Sequence, residues 1–209
     1  MLFKTVGEFD RYTTHNFYSK IGKNMLIKYL VCSVIFLLFS FLVFRVVVRK
    51  DYLKNPKLSP VSYSLEALVF ALHANLMYLF IPVKWPDLPA LPEDLILKLL
   101  FLAILCLGLV ILIIAWFGLG SGRSFGQDKN KLKTSGIYKY SRNPQLVGYG
   151  IILLSFAILF LSWYTLGWFV QYLIISYLMI RSEEEFLNLR YGVEYEKYCN
   201  AVPRIIKLF

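Results

Sequence analysis

Long apolar runs alternate with short polar stretches along this chain. The first run, Tyr29 to Val48, holds about 20 residues, enough for a helix to cross a bilayer core of roughly 30 Å. Arg45 lies near its end, placed to extend its guanidinium toward water. The second run, Val61 to Val83, is interrupted by Glu66, His73 and Asn75. The third, Leu95 to Gly118, carries Lys98 near one end. The fourth begins at Pro144 and reaches Trp163; the fifth covers about Leu166 to Ile180. The link Ser162-Trp163-Tyr164-Thr165 is so short that the last two must form an antiparallel hairpin. The pattern predicts an all-α polytopic membrane protein with about five transmembrane helices and a C-terminal polar tail.

The polar stretches carry their own signals. Asp51 to Pro60 is a loop with two prolines, and Pro82 to Glu93 holds four more. Gly120 to Arg142 is basic and lacks apolar periodicity. After Arg181 the chain turns acidic and then reads as one or two short amphipathic helices to Phe209. There is no internal repeat, so residues 1–209 are read as one domain. Residues 1–119 form an N-terminal interfacial segment and a three-helix scaffold; residues 120–209 form a loop, hairpin and tail.

Composition agrees with this picture. The chain is 58% hydrophobic and 17% charged, below the roughly 25% charged residues of a soluble domain. The net charge of +10 would suggest nucleic acid in a soluble protein. Here the basic residues lie in short connections, where they meet anionic lipid instead, so no nucleic-acid partner is expected. Lys and Arg are concentrated in the first loop, the third loop and the tail. That side is expected to be cytoplasmic, with the N-terminal segment on the other. Cys32 and Cys106 sit in apolar runs as packing residues, and no Cys/His cluster has metal-ligand spacing.

The candidate chemistry flanks the last hairpin. One flank runs from Gly120 through Arg123 and Leu132 to Gly136-Ile137-Tyr138 and Arg142-Asn143-Pro144. The other runs from Arg181-Ser182-Glu183-Glu184-Glu185 to Tyr195 and Tyr198. Asn143 suits the cap position of a helix and Pro144 its first turn, so the fourth helix should start there, with free N–H groups that favour an anion. Ser182 to Glu185 reads as a capping box. Glu66 and His73, seven residues apart, share one face of the second helix, as an acceptor-binding pair or an interhelical hydrogen bond.

In order, the segments Gly136-Ile137-Tyr138, Arg142-Asn143-Pro144, an apolar hairpin, Glu183-Glu184, Leu187, Gly192, Tyr195, Tyr198 and Val202-Pro203-Arg204 resemble the isoprenylcysteine carboxyl methyltransferase family and the related phospholipid methyltransferase-like membrane enzymes. The resemblance covers about residues 116–206. It implies S-adenosyl-L-methionine as cofactor, held by Leu132, Tyr138, Asn143, Pro144 and one of Glu183 or Glu184; the basic stretch from Arg123 to Lys133 suits the cofactor's carboxylate by charge. Catalysis is expected at Glu184 and Arg181, and the acceptor side at Arg181 and, as polar groups inside a membrane helix, Glu66 and His73. Two departures matter. The family's His in the Arg-His-Pro motif is Asn143, which cannot titrate near neutral pH, and the aromatic residue after the proline is Leu146. The family's acceptor-side Arg falls at Met179, with Arg181 two residues later.

The implied reaction is methyl transfer to a membrane lipid or amphipathic acceptor at the cytoplasmic face. Carboxylate O-methylation of the isoprenylcysteine type leads, with phospholipid amine N-methylation beside it. Positioning and desolvation supply much of such catalysis. An NADPH-dependent sterol-type membrane reductase has a similar C-terminal arrangement and is the enzyme alternative; a non-enzymatic membrane scaffold is the other.

Overall fold

The computed structural model describes residues 23–55, 57–76, 91–119 and 132–206. The N-terminal segment, the end of the second apolar run, most of the proline-rich loop and Arg123 lie outside the described residues. Every regular element among the described residues is helical. The chain divides into two compact units, one to Phe36 and one from Leu37 to Phe209, and all contacts described below lie within the second.

The first apolar run is a helix in three parts: α1 (Lys23–Phe41), a π-helical segment (Leu42–Val48) and α2 (Arg49–Lys54). The Arg49 N–H reaches back five residues to the Phe44 carbonyl, the widened spacing that defines the π segment. That carbonyl also accepts from Ser182 Oγ at 2.7 Å, so a later helix shares in holding the widened turn. Asp51 ends α2 by accepting from Asn55 Nδ2 and from the Ser59 N–H, at 2.6 and 2.7 Å.

The helix α3 (Pro60–Leu76) starts on proline, where the missing N–H is no loss. It buries Ser62, Glu66, Val69 and His73, a face repeating every three to four residues. The next helix, α4 (Leu95–Leu119), is capped by Asp94, which accepts from the Leu97 N–H at 3.0 Å. Between α4 and α5 (Pro144–Leu159) the packing is so close that glycine is required at the crossing. A Cβ on Gly148 would stand 2.6 Å from the Leu112 backbone nitrogen, and one on Gly108 would stand 2.9 Å from the Gly148 carbonyl. Small residues at a crossing let two backbones meet where lipid offers no hydrophobic drive for association.

A capping box turns the chain into α6 (Trp163–Tyr191): the Ser162 hydroxyl accepts from the Thr165 N–H, and the Thr165 hydroxyl accepts from the Ser162 N–H. This corrects the expected fifth helix, which the apolar pattern ended near Ile180. The helix runs on for another 11 residues because Ser182 to Tyr191 contains no proline or glycine, and it stops only at Gly192, whose φ is +49°. The capping box expected at Ser182 is absent for the same reason. Ser182 sits mid-helix, with its hydroxyl on the Leu178 and Phe44 carbonyls. A last helix, α7 (Val193–Ala201), turns back against the end of α6.

Among the described residues, three helices are long and apolar enough to cross a membrane: Leu26–Lys54, Leu95–Gly118 and Trp163–Tyr191. Of the other expected spans, Pro144–Leu159 is apolar but has 16 residues, about 24 Å at 1.5 Å per residue, and α3 is described only to Leu76. The large apolar side chains on these helices are extensively exposed, as a lipid-facing surface requires.

Candidate functional site

The start of α5 and the end of α6 meet at a polar cap. Between α4 and α5, residues 136–139 form a single 3₁₀ turn, entered through Gly136 at φ +68°. The turn buries Tyr138 beneath the cap. The Tyr138 hydroxyl points at the Ala115 carbonyl on α4, at 3.4 Å, and its own carbonyl accepts from Tyr198 Oη on α7, at 2.7 Å. Leu132 packs against Tyr195, Tyr198 and Val202. Two residues expected from sequence, Leu132 and Tyr138, therefore share one small core with α7.

The three consecutive glutamates of α6 point in different directions, because successive helical residues are about 100° apart. Glu184 faces the tail. It pairs with Arg142 Nη1 at 3.1 Å and receives two bonds from Arg204, from Nε at 2.8 Å and from Nη2 at 2.7 Å. This fork-to-carboxylate geometry is the strong form of an Arg–Glu pair. Glu185 faces the first helix, where Arg45 Nη2 reaches it at 2.7 Å and Arg49 Nε also donates to it. Glu183 lies toward Tyr138: after burial, the Glu183 charge is the next cause that raises the Tyr138 pKa. The Tyr195 pKa is raised by burial and by Glu184, and the Tyr198 pKa is pushed up to about 12 by burial. All three phenols stay protonated at neutral pH.

Asn143 occupies the cap position of α5 and Pro144 its first turn, as expected, but the Asn143 side chain does not cap the helix. Its Nδ2 donates instead to the Arg204 carbonyl at 3.0 Å, and Ser141 Oγ points at the same oxygen at 3.4 Å. The Arg142 N–H donates to the Pro203 carbonyl at 3.0 Å. The chain at Pro203 and Arg204 is thus strapped across the start of α5, where the Asn143 N–H donates to Ser141 Oγ at 3.1 Å. Arg142 is nearly buried; its guanidinium also reaches Tyr195 Oη and Cys199 Sγ, and its Nε has no hydrogen-bond partner among the described residues.

Other expected site residues stand apart. Arg181 is exposed, on the lipid or solvent side of α6. His73 is fully buried and bound reciprocally to Trp168. His73 Nε2 meets the Trp168 carbonyl at 2.9 Å, Trp168 Nε1 donates to the His73 carbonyl at 2.7 Å, and the two rings stack 5.0 Å apart. Trp168 precedes Glu184 by 16 residues, about 24 Å along the helix, so His73 lies deep in the apolar region rather than at the cap. Glu66 is buried on the same face of α3, two turns nearer the helix start. Among the described residues no group of three or more His, Cys, Asp or Glu side chains has the arrangement of a metal site.

Arg45, Arg49 and Ser182 were not singled out in the sequence as site residues. Arg45 turns inward to Ser182 Oγ, at 3.1 Å, and to Glu185, rather than outward to water. The available signal was an arginine inside an apolar run, which must find a partner. What the sequence lacked was the partner's identity.

Residues 96–194 are similar to a family model described as phospholipid methyltransferase. The matched segment is under half of the chain. It holds α4, the 3₁₀ turn, α5, α6 and the three glutamates, and it leaves out Arg45, Arg49 and Arg204. No curated protein and no solved structure matches the chain. The match and the long apolar helices support an integral membrane methyltransferase.

Proposed function

We propose that this chain transfers a methyl group from S-adenosyl-L-methionine to a lipid-like acceptor, with the cofactor held at the cap on the cytoplasmic face. One observation carries the reading: a buried guanidinium nitrogen without a hydrogen-bond partner among the described residues stands where the two flanks of the hairpin meet. That nitrogen is Arg142 Nε, and beside it Asn143 turns its side chain to the tail rather than to the start of α5. A buried donor left unmet is costly, and a helix N-terminus favours an anion. The carboxylate and ribose hydroxyls of the cofactor supply acceptors of that kind.

When bound, the cofactor supplies an activated methyl group on a positively charged sulfur. The chain's own residues then divide the remaining tasks. Glu184 is already neutralised by Arg142 and Arg204, so its role is to hold the tail over α5. Glu183, whose charge acts on Tyr138 in the same cap, is the carboxylate we assign to the cofactor's ammonium or ribose. Tyr138, Asn143, Pro144 and Leu132 shape the wall of the site. Catalysis here is mostly positioning and exclusion of water.

The acceptor is the finer question. A carboxylate acceptor of the isoprenylcysteine type needs no base. A phospholipid amine must lose a proton, and the match to a phospholipid methyltransferase model favours this second reading. Thermal stabilisation of the detergent-solubilised protein tests the cofactor. S-adenosyl-L-methionine or its demethylated product should raise the melting temperature with concentration, and NADPH should not. The opposite pattern points to a membrane reductase, and no shift from either to a scaffold; each overturns the reading. Methyl-labelled cofactor incubated with the protein in lipid nanodiscs then identifies the acceptor by the lipid fraction that takes the label.

A further inference from the structure

We infer that Arg45 and Arg49 form a second site, which binds the phosphate of a bilayer lipid headgroup at the membrane boundary. Both arginines lie outside the matched segment, and the site does not depend on the methyl-transfer reading. Two guanidinium groups share a single carboxylate, Glu185, so the group carries a net positive charge. Arg45 spends its terminal nitrogens on Ser182 and Glu185. Arg49 uses only Nε, and its terminal nitrogens have no protein partner among the described residues. An arginine fork with both ends open matches two oxygens of one phosphate.

The position also points to lipid rather than to a soluble anion. Arg49 lies near the end of the 29-residue apolar helix Leu26–Lys54, where a spanning segment leaves the hydrocarbon. Val46 and Leu53, each about one turn away, are 49% and 47% exposed, while Arg49 itself is 44% exposed. A lipid can lay its chains on that apolar surface while its phosphate meets the guanidinium. Lys50 and Lys54, also exposed, add attraction for anionic lipid at the same level. The π-helical segment fixes this geometry. It holds Arg45 against α6, where Arg45 donates to Ser182 and to Glu185, and Glu185 in turn accepts from Arg49 Nε.

The test uses the full chain in a neutral detergent and three probes: a short-chain phosphatidic acid, the diacylglycerol with the same chains, and inorganic phosphate. Phosphatidic acid should stabilise the protein against heat at concentrations where the other two do not. Arg49→Gln should weaken that binding about tenfold, the worth of one charge-assisted hydrogen bond. Arg49→Lys should restore part of it, and stabilisation by S-adenosyl-L-methionine should be unchanged in both. Equal stabilisation by diacylglycerol overturns the inference, because the phosphate is then unread. Equal stabilisation by inorganic phosphate also overturns it, because the ligand is then not a lipid. Unchanged affinity in Arg49→Gln overturns the residue assignment. Should that variant fold poorly, Glu185→Gln decides: the amide oxygen can still accept from Arg49 Nε while the competing charge is gone, so phosphatidic acid binding should tighten, and weaker binding sinks the proposal.

Discussion

The crossing of α4 and α5 and the polar cap over α5 and α6 hold the same helices by opposite means. At the crossing, Gly108 and Gly148 bring two backbones together, with Leu112 and Ile152 as their near neighbours. At the cap, Arg142, Arg204 and Glu184 hold the tail through charge. The difference follows from the solvent. In hydrocarbon the apolar side chains gain nothing by leaving lipid, so close packing has to do the work. At the boundary, carboxylates and guanidiniums are partly hydrated and can be paired without the full penalty of burial. The crossing is therefore rigid and intolerant of volume, whereas the cap is specific in charge but able to open.

The sharpest way to break this contrast is at the crossing. Gly148→Ala places a methyl group against the Leu112 backbone, which cannot swing aside as a side chain would. We expect a loss of about 3 kcal/mol, from overpacking, measured by denaturation in detergent. A variant as stable as the wild type would show that the helices are free to separate.

The cap should respond less in stability and more in binding. Glu184→Gln leaves two guanidiniums facing a neutral amide, and a loss of about 2 kcal/mol is expected, discounted because Arg204 is 44% exposed. Stabilisation by S-adenosyl-L-methionine should weaken, since the tail no longer holds its place. Arg181→Gln, at an exposed position on the same helix, is the control and should change neither quantity. Equal effects of the two substitutions would remove the special place of Glu184.

The smallest effect is expected at Asn143. Because its side chain holds the tail instead of capping α5, Asn143→Ala should lower stability by under about 1 kcal/mol, and Asn143→Asp should be no better than alanine. A cap residue behaves otherwise: aspartate would restore stability by accepting from the helix N–H groups. Protease accessibility of the tail gives the second readout, and it should rise in both variants.

The hydrophobic pattern of the chain determined a great deal. Runs of about 20 apolar residues can satisfy their backbone in lipid only as helices, so Leu26–Lys54, Leu95–Gly118 and most of Trp163–Tyr191 were legible from period and length alone. Asn143-Pro144 marked the start of α5, because proline fits the first turn of a helix. The hairpin was legible from its four-residue link. The end of α6 was not, because the apolar run stops near Ile180 while helix propensity continues to Gly192; polarity and helicity part company where a helix leaves the membrane.

Only the tertiary structure decided how the charges pair. Three adjacent glutamates look alike in sequence, but rotation about the α6 axis sends Glu184 to Arg142 and Arg204, Glu185 to Arg45 and Arg49, and Glu183 toward Tyr138. Arg45 and Glu185 are 140 residues apart, and Asn143 and Arg204 are 61 apart. No local pattern records such distances. Residue type set which groups would need partners near a membrane, and helix packing chose which partners they found.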